Sequence, residues 1–297
     1  MIKLALTDLD DTLIPFGQPC ASDATRAAIH AVLDAGLRFG PVTGRLPADM
    51  TWMFSDDEVC YATGAFANGQ VVRVDGEVVR EVTVDASALA HVQQVLDEFG
   101  GGALCLYDPW QLGKIAYITA EADRLRKNPP PTWGSITEVL PAVTDFATDY
   151  TAENGEPGYV KANVQTTCPA DERPALMELL RREVPELRFV CPNAHAAVID
   201  VIPVGWDKGC GVRVLADALG LADDEYVAFG DSENDLAMID AVPNSVAVAN
   251  ASELIAGRAR WHIGACADAA VDAALLDIAA AAAESRLPHF MTTACHG

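Results

Sequence analysis

Hydrophobic residues fall along this chain in two rhythms. Residues 2–7 form a short, mostly apolar run, the pattern of a strand buried on both faces of a parallel sheet. Ser22 then reads as a helix N-cap. Ile29, Val32, Leu33 and Leu37 line one face of that helix, with Gly36 near its stop. A second strand, Arg38 to Thr43, completes a strand–helix–strand unit. After Tyr61–Ala67 and a turn at Asn68–Gly69, the runs Val71–Val74 and Glu77–Arg80 flank Asp75–Gly76, a two-residue hairpin signal.

From about residue 84 the rhythm changes. A helix over Ala86–Phe99 leads to strands around 103–108 and 114–119, then to an irregular stretch with Pro129–Pro131 and the turn-rich Asn154–Gly158. A strand at 159–166, a helix at 171–183 and strands near 188–191 and 196–202 follow. Strand–helix alternation then resumes. A helix from Asp207 carries Val212, Leu215 and Leu219 and ends at Gly220; Tyr226–Phe229 is a strand, Ser232 caps a helix, and Ser245–Val248 is another strand. The alanines at 279–283 belong to a helical tail with a frayed end. The pattern predicts an α/β fold with a doubly wound parallel core, residues 1–83 plus 188–297. An α+β domain, 84–187, is inserted within it.

Composition narrows the partners. The 297 residues are 51% hydrophobic and 21% charged, which is globular, and the net charge of −23 repels nucleic acid and anionic membranes. Neither is expected as a partner, and a small anion can bind only at a locally positive site. The eight cysteines form no Cys-x-x-Cys pair and read as reduced thiols of a cytoplasmic protein. Asp8 interrupts what would be a signal peptide's apolar segment, and no run reaches membrane-spanning length. Nothing in the sequence sets an oligomeric state.

In an open parallel sheet, ligands bind beyond the carboxyl ends of the strands. The first strand runs into Asp8 and Asp10, the second into Thr43, and later ones into Asp231 and Asn250. Helix starts on the same edge bring Lys208, Asn234 and Asp235. Asp8 and Asp10 point to one side of an extended chain, with Thr12 next in line. At about 4 Å and an effective dielectric of roughly 20, two carboxylates repel by about 4 kcal/mol. Asp231 adds to that unless a cation sits among them, and such an oxygen set suits Mg²⁺. Lys208 stands in the first helical turn, where the macrodipole opposes a cation, so an anion beside it would explain its place. Thr43 and Gly44 can offer a hydroxyl and N–H groups to phosphate. Arg45 reads equally well as a surface residue. A capping box over Ser232–Asp235 accounts for Ser232 and Asp235, whereas Asp231 precedes the cap and needs another explanation.

Taken together, DLDDT (Asp8–Thr12), Thr43-Gly44-Arg45, Lys208 and GDSEND (Gly230–Asp235) resemble the four ordered motifs of the haloacid dehalogenase (HAD) superfamily. The long gap between Arg45 and Lys208 is similar to that of the Cof-type, class IIB members, in which a cap is inserted there. Phe66–Gly69, Val160–Val164 and Val248–Ala251 fit the same subfamily. Ala249 departs from a common glycine, and Asp207 stands where Ser or Asn is frequent.

The resemblance implies a phosphatase. Asp8 would be its nucleophile, forming an aspartyl-phosphate, and Asp10 its general acid and base. Mg²⁺ would be held by Asp8, Asp10 and Asp231, and the phosphoryl group by Thr43, Gly44, Lys208 and Asn234, with Asp235 supporting. The implied substrate is a small phosphorylated metabolite such as a sugar phosphate, under a cap that closes over the site. Trp110, Trp133 and Tyr159 are possible substrate contacts, although aromatic residues more often fill cores; His195 reads as structural. A phosphosugar mutase and a non-catalytic phosphometabolite-binding protein remain as alternatives. Cys20–Arg26 has the Cys-x5-Arg spacing of cysteine-dependent phosphatases, but it lacks their glycines, and Asp23 would repel phosphate.

Overall fold

The computed structural model describes residues 1–127, 138–191 and 197–292. The chain divides into two compact units, residues 1–80 with 207 onward, and residues 81–206.

The first unit opens with β1 (Leu4–Thr7), α1 (Asp23–Asp34), β2 (Arg38–Pro41) and α2 (Pro47–Met53). Next come β3 (Gly64–Phe66), β4 (Val71–Val74) and β5 (Glu77–Glu81), which form an antiparallel sheet in that order. Asp75 (φ +52°) and Gly76 (φ +87°) both take left-handed backbone, as the tight hairpin turn requires.

The second unit begins with β6 (Val84–Asp85), α3 (Ala86–Phe99), β7 (Gly102–Tyr107), β8 (Ile115–Ile118) and α4 (Ala122–Lys127). It continues with β9 (Glu138–Leu140), β10 (Gly158–Tyr159), β11 (Lys161–Thr166), α5 (Arg173–Glu183), β12 (Leu187–Val190) and β13 (Val198–Pro203). The chain then re-enters the first unit with α6 (Lys208–Leu219), β14 (Tyr226–Gly230), α7 (Leu236–Ala241) and β15 (Ser245–Ala247). It closes with α8 (Glu253–Arg258), β16 (Trp261–His262) and α9 (Ala270–Glu284).

Five parallel strands form the main sheet of the first unit, in the order β16-β15-β14-β1-β2. β1 lies between β14 and β2 inside the sheet, and its residues Leu4, Ala5 and Leu6 are buried. Leu4, Leu6, Tyr226 and Ala228 pack on Val212 and Leu215 of α6. Ser22 caps α1 as expected, its Oγ accepting from the Thr25 N–H at 3.0 Å. The alanine tail does not fray. α9 packs along α1, burying Ala279 and Ala281 beside Leu275 and Ile278. Small side chains let two helices approach closely, a gain that helical periodicity alone does not display.

The second unit has a six-stranded sheet, β12-β13-β11-β7-β8-β9, antiparallel except for the β8–β9 pair. Leu89, Val92 and Leu96 of α3 and Leu176 and Leu180 of α5 cover one face, against Leu104, Leu106, Val164 and Val201. This pairing corrects the expected domain limits. β13 pairs with β11 and β12 with β13, so residues 188–206 belong to the inserted unit and the core resumes at Asp207; the first boundary falls after residue 80 rather than 83. Among the described residues no helix is long and apolar enough to cross a membrane.

Candidate active site

The parallel ladder aims the end of β1. The Asp8 N–H donates to the Phe229 carbonyl of β14 at 2.9 Å, and the Val42 N–H donates to the Thr7 carbonyl at 2.8 Å. Asp8, Thr43 and Asp231 therefore leave three adjacent strands at the same sheet edge. Two glycines let the neighbouring elements close in. A Cβ at Gly209 would lie 2.3 Å from the Ala237 carbonyl oxygen, and one at Gly230 would lie 2.9 Å from the Asp235 Cβ. Only with both positions bare can α6 start against α7 and β14 end against Asp235.

The result is a buried charge cluster. Lys208 Nζ lies 2.6 Å from Asp8 Oδ1 and 2.6 Å from Asp235 Oδ1, and all three side chains are sealed from solvent. Asp235 Oδ2 accepts from the N–H groups of Asp231 (3.0 Å) and Ser232 (3.1 Å), while Thr12 Oγ1 donates to Asp231 Oδ1 at 2.8 Å. The expected capping box is half present. Asp235 reaches back to the Ser232 N–H, but the Ser232 hydroxyl turns to Asn234 Oδ1 at 2.6 Å.

One cation faces three anions here. Burial, then Asp235, pushes the Asp8 carboxyl well above its ordinary range, a rise only partly opposed by Lys208. Asp231 is pushed up to about 7, again by burial first and Asp235 second. Burial alone would depress Lys208, but Asp235 and Asp8 outweigh it and hold the ammonium above its ordinary range. Carboxylate oxygens of Asp8, Asp231 and Asp235 all lie within 4.8 Å of one another. At that spacing and a dielectric of roughly 20, each like-charged pair costs about 3–4 kcal/mol. Hard oxygen donors carrying excess negative charge fit a divalent cation such as Mg²⁺. Asp235 has both oxygens engaged by N–H donors and Lys208, which leaves Asp8 and Asp231 as the carboxylates free to ligate.

Asp10 is placed differently. Its carboxylate stands half exposed and is gripped by Arg45, with Nε to Oδ2 at 2.8 Å and Nη2 to Oδ1 at 2.6 Å. Asp10 is therefore absent from the group of clustered carboxylates, and Arg45 is more than a surface residue. The guanidinium also lies 5.7 Å from the centre of the Trp52 ring. Thr43 is buried, with its Oγ1 accepting from the Arg45 N–H at 3.2 Å, and Gly44 lies between them. Asn234 is half-buried at the start of α7. Asn250 ties two loops together: its Nδ2 donates to the Asp11 carbonyl and its Oδ1 accepts from the Cys266 N–H, both at 2.8 Å.

Tyr159 is core, its hydroxyl donating to the Val143 carbonyl at 2.8 Å. Trp110 is partly exposed and donates to the Tyr150 hydroxyl; Trp133, His195 and Pro129–Pro131 lie outside the described residues. In the Cys20–Arg26 segment, Arg26 is engaged by Asp23 at 2.5 Å and by the Ala21 carbonyl and Ser55, so no phosphate cradle forms there.

An α/β protein with an acidic site at the carboxyl edge of a parallel sheet, interrupted by a second α+β unit, is the class these features define. A profile of haloacid dehalogenase-like hydrolases matches residues 5–275, and the chain belongs to that family. A Haemophilus influenzae protein provisionally named a phosphatase is 24% identical over 251 residues, 84% of this chain and 88% of that one. Among solved structures, a haloalkanoate-superfamily phosphatase from Bacteroides thetaiotaomicron superposes with a TM-score of 0.70 at 23% identity, covering 94% of this chain and 95% of its own. A HAD subclass IIB sugar phosphatase gives 0.69 at 18% identity, covering 92% and 97%.

Proposed function

We propose that the protein is a Mg²⁺-dependent phosphatase acting on small phosphate monoesters through an aspartyl-phosphate. The observation that carries this reading is Asp8, a buried carboxylate at the end of β1, with Lys208 at 2.6 Å and Asp231 in the same cluster. Asp8 Oδ attacks phosphorus in line, the phosphorus–oxygen bond to the leaving group breaks, and Asp10, turned from Arg45 and protonated when substrate is bound, gives that oxygen its proton. A water then attacks the same phosphorus, surrendering a proton to Asp10, and inorganic phosphate departs as Asp8 is restored. Thr43, Gly44, Asn234 and Lys208 hold the phosphoryl oxygens, where charge complementarity does most to lower the barrier.

Asp8, Asp231 and the Asp10 main-chain carbonyl are assigned to the divalent ion, which when bound neutralises charge on the phosphoryl oxygens. Asp235 positions Lys208, and Arg45 holds the Asp10 carboxylate between turnovers. The inserted unit is assigned the choice of leaving group. Sugar phosphates head the candidate substrates because a related fold is that of a sugar phosphatase. Other small phosphorylated metabolites belong in the same panel.

The test is phosphate release from a metabolite panel with and without Mg²⁺. Asp8→Asn should abolish turnover while unfolding cooperatively like the parent, and EDTA should abolish turnover of the parent. A variant that keeps turning over, or activity indifferent to EDTA, would overturn the reading. Product analysis with added sugar bisphosphate separates hydrolysis from mutase chemistry.

A further inference from the structure

A second group of ligating atoms converges in the first unit, on residues that the proposed phosphatase chemistry does not use. His30 lies on α1, and Asp57 and Cys60 lie in the segment joining α2 to β3. That segment turns sharply, with Ser55 (φ +53°) and Asp56 (φ +63°) both in left-handed backbone, and so folds back over α1. His30 Nε2 and Asp57 Oδ2 stand 2.7 Å apart, and the Cys60 sulfur lies within 4.8 Å of one ligating atom of each.

We propose that His30, Asp57 and Cys60 form a zinc site that clasps α1 to the α2–β3 segment. The donor set is the first reason. Imidazole nitrogen, carboxylate oxygen and sulfur together match a borderline-soft ion, whereas the carboxylate oxygens near Asp8 match a hard one. Geometry is the second. Tetrahedral zinc, with bonds of about 2.0–2.3 Å, places its ligands roughly 3.3–3.8 Å apart. The 2.7 Å pair must open slightly and both groups must move toward the sulfur. Both movements fall to side chains that can make them, because His30 is 45% and Asp57 26% exposed while the sulfur is anchored in the interior. That exposure also leaves room for water as the fourth ligand.

Asp57 stands between the two other groups, contacting the His30 ring at 2.7 Å and hydrogen-bonding the Cys60 thiol. The thiol is pushed up to about 12, by burial first and by Asp57 second. Without metal it stays protonated beside the carboxylate. On binding, the S–H proton passes to solvent and its electron pair forms the metal–sulfur bond, with nothing oxidised or reduced. The cation then offsets the burial that opposes the thiolate.

Cobalt(II) is the probe, added to the full chain in excess Mg²⁺ so that the acidic cluster near Asp8 is already occupied. Binding should raise a thiolate-to-cobalt charge-transfer band and the visible absorption of a four-coordinate ion, and stoichiometric Zn²⁺ should remove both. Cys60→Ser should abolish the charge-transfer band. The partly exposed His30→Gln, which leaves the interior intact, should weaken cobalt binding by roughly tenfold or more, since even outer-shell changes cost about 10- to 100-fold. Asp8→Asn should leave the band unchanged, which separates this site from the phosphatase reading. The proposal is overturned by absence of the band, by a band that survives Cys60→Ser and so belongs to another cysteine, or by unchanged affinity in His30→Gln. If Cys60→Ser does not fold, the affinity of His30→Gln decides alone.

Discussion

Each unit of this protein buries a lysine against carboxylate, and the two arrangements differ in charge balance. In the inserted unit, Lys161 of β11 meets Asp200 of β13 at 2.6 Å, one ammonium facing one carboxylate. In the core, Lys208 serves Asp8 and Asp235 at once, with Asp231 beside them. A lysine facing a carboxylate balances its charge and can act as a structural peg. A cluster with surplus negative charge is strained until something positive joins it, and on the proposed reading that positive charge is a divalent ion. The upward shifts at Asp8 and Asp231 arise first from burial and then from Asp235, the neighbour that shares their lysine cluster.

The contrast can be broken most forcibly at Lys208. Lys208→Met should lower turnover by about 10²–10³-fold or more, as loss of a charge-stabilising donor does. It should also destabilise the fold by about 3–5 kcal/mol through carboxylates left buried without a partner. Phosphate-release kinetics and urea unfolding report the two effects. In the inserted unit Lys161→Met should carry a similar stability cost of about 3–5 kcal/mol, whereas the double change Lys161→Met with Asp200→Leu should recover most of it. If the double variant is no better than the single one, Lys161–Asp200 is not a self-contained pair.

Acidity sharpens the comparison further. Because the folded chain holds protons on Asp8 and Asp231 more tightly than the unfolded chain does, it binds more protons above their ordinary carboxyl range, up to about pH 7 for Asp231. Stability of the metal-free protein should therefore be greatest at or below about pH 4 as far as these two groups are concerned, and fall as pH rises, the Asp231 contribution being lost through about pH 7. Mg²⁺ should flatten that slope in a denaturation series across pH, and an unchanged slope would argue against cation binding at the cluster. The smallest stability change is expected at the exposed Asp10–Arg45 pair. Arg45→Met should alter stability by no more than about 1 kcal/mol while reducing turnover, because the Asp10 carboxylate loses its bidentate support.

Much of this was legible beforehand, for a local reason. β1, α1, α3 and α6 follow from runs and periodicities a few residues long, with caps at Ser22 and Asp207 written into the sequence. The edge residues Asp8, Thr43 and Asp231 were found because strand ends in a parallel sheet share one edge. Arg45 was harder to read. Its significance depends on Asp10, 35 positions away, and on β1 and β2 being neighbours. The limit of the inserted unit was missed for a similar reason. β12 and β13 alternate as strands whichever sheet they join, and only their pairing with β11 assigns residues 188–206.

By itself, the sequence determined the alternation of strands and helices, the family to which the chain belongs and the identity of the acidic residues, because these are carried by short-range pattern and by motif. Tertiary structure alone decided which carboxylates share one lysine, where Asp10 turns, and that the alanine-rich tail is packed. Those outcomes depend on groups such as Lys208 and Asp8, 200 positions apart, meeting in a space closed to water. There the cost of each unpaired charge is set by its neighbours rather than by its place in the chain.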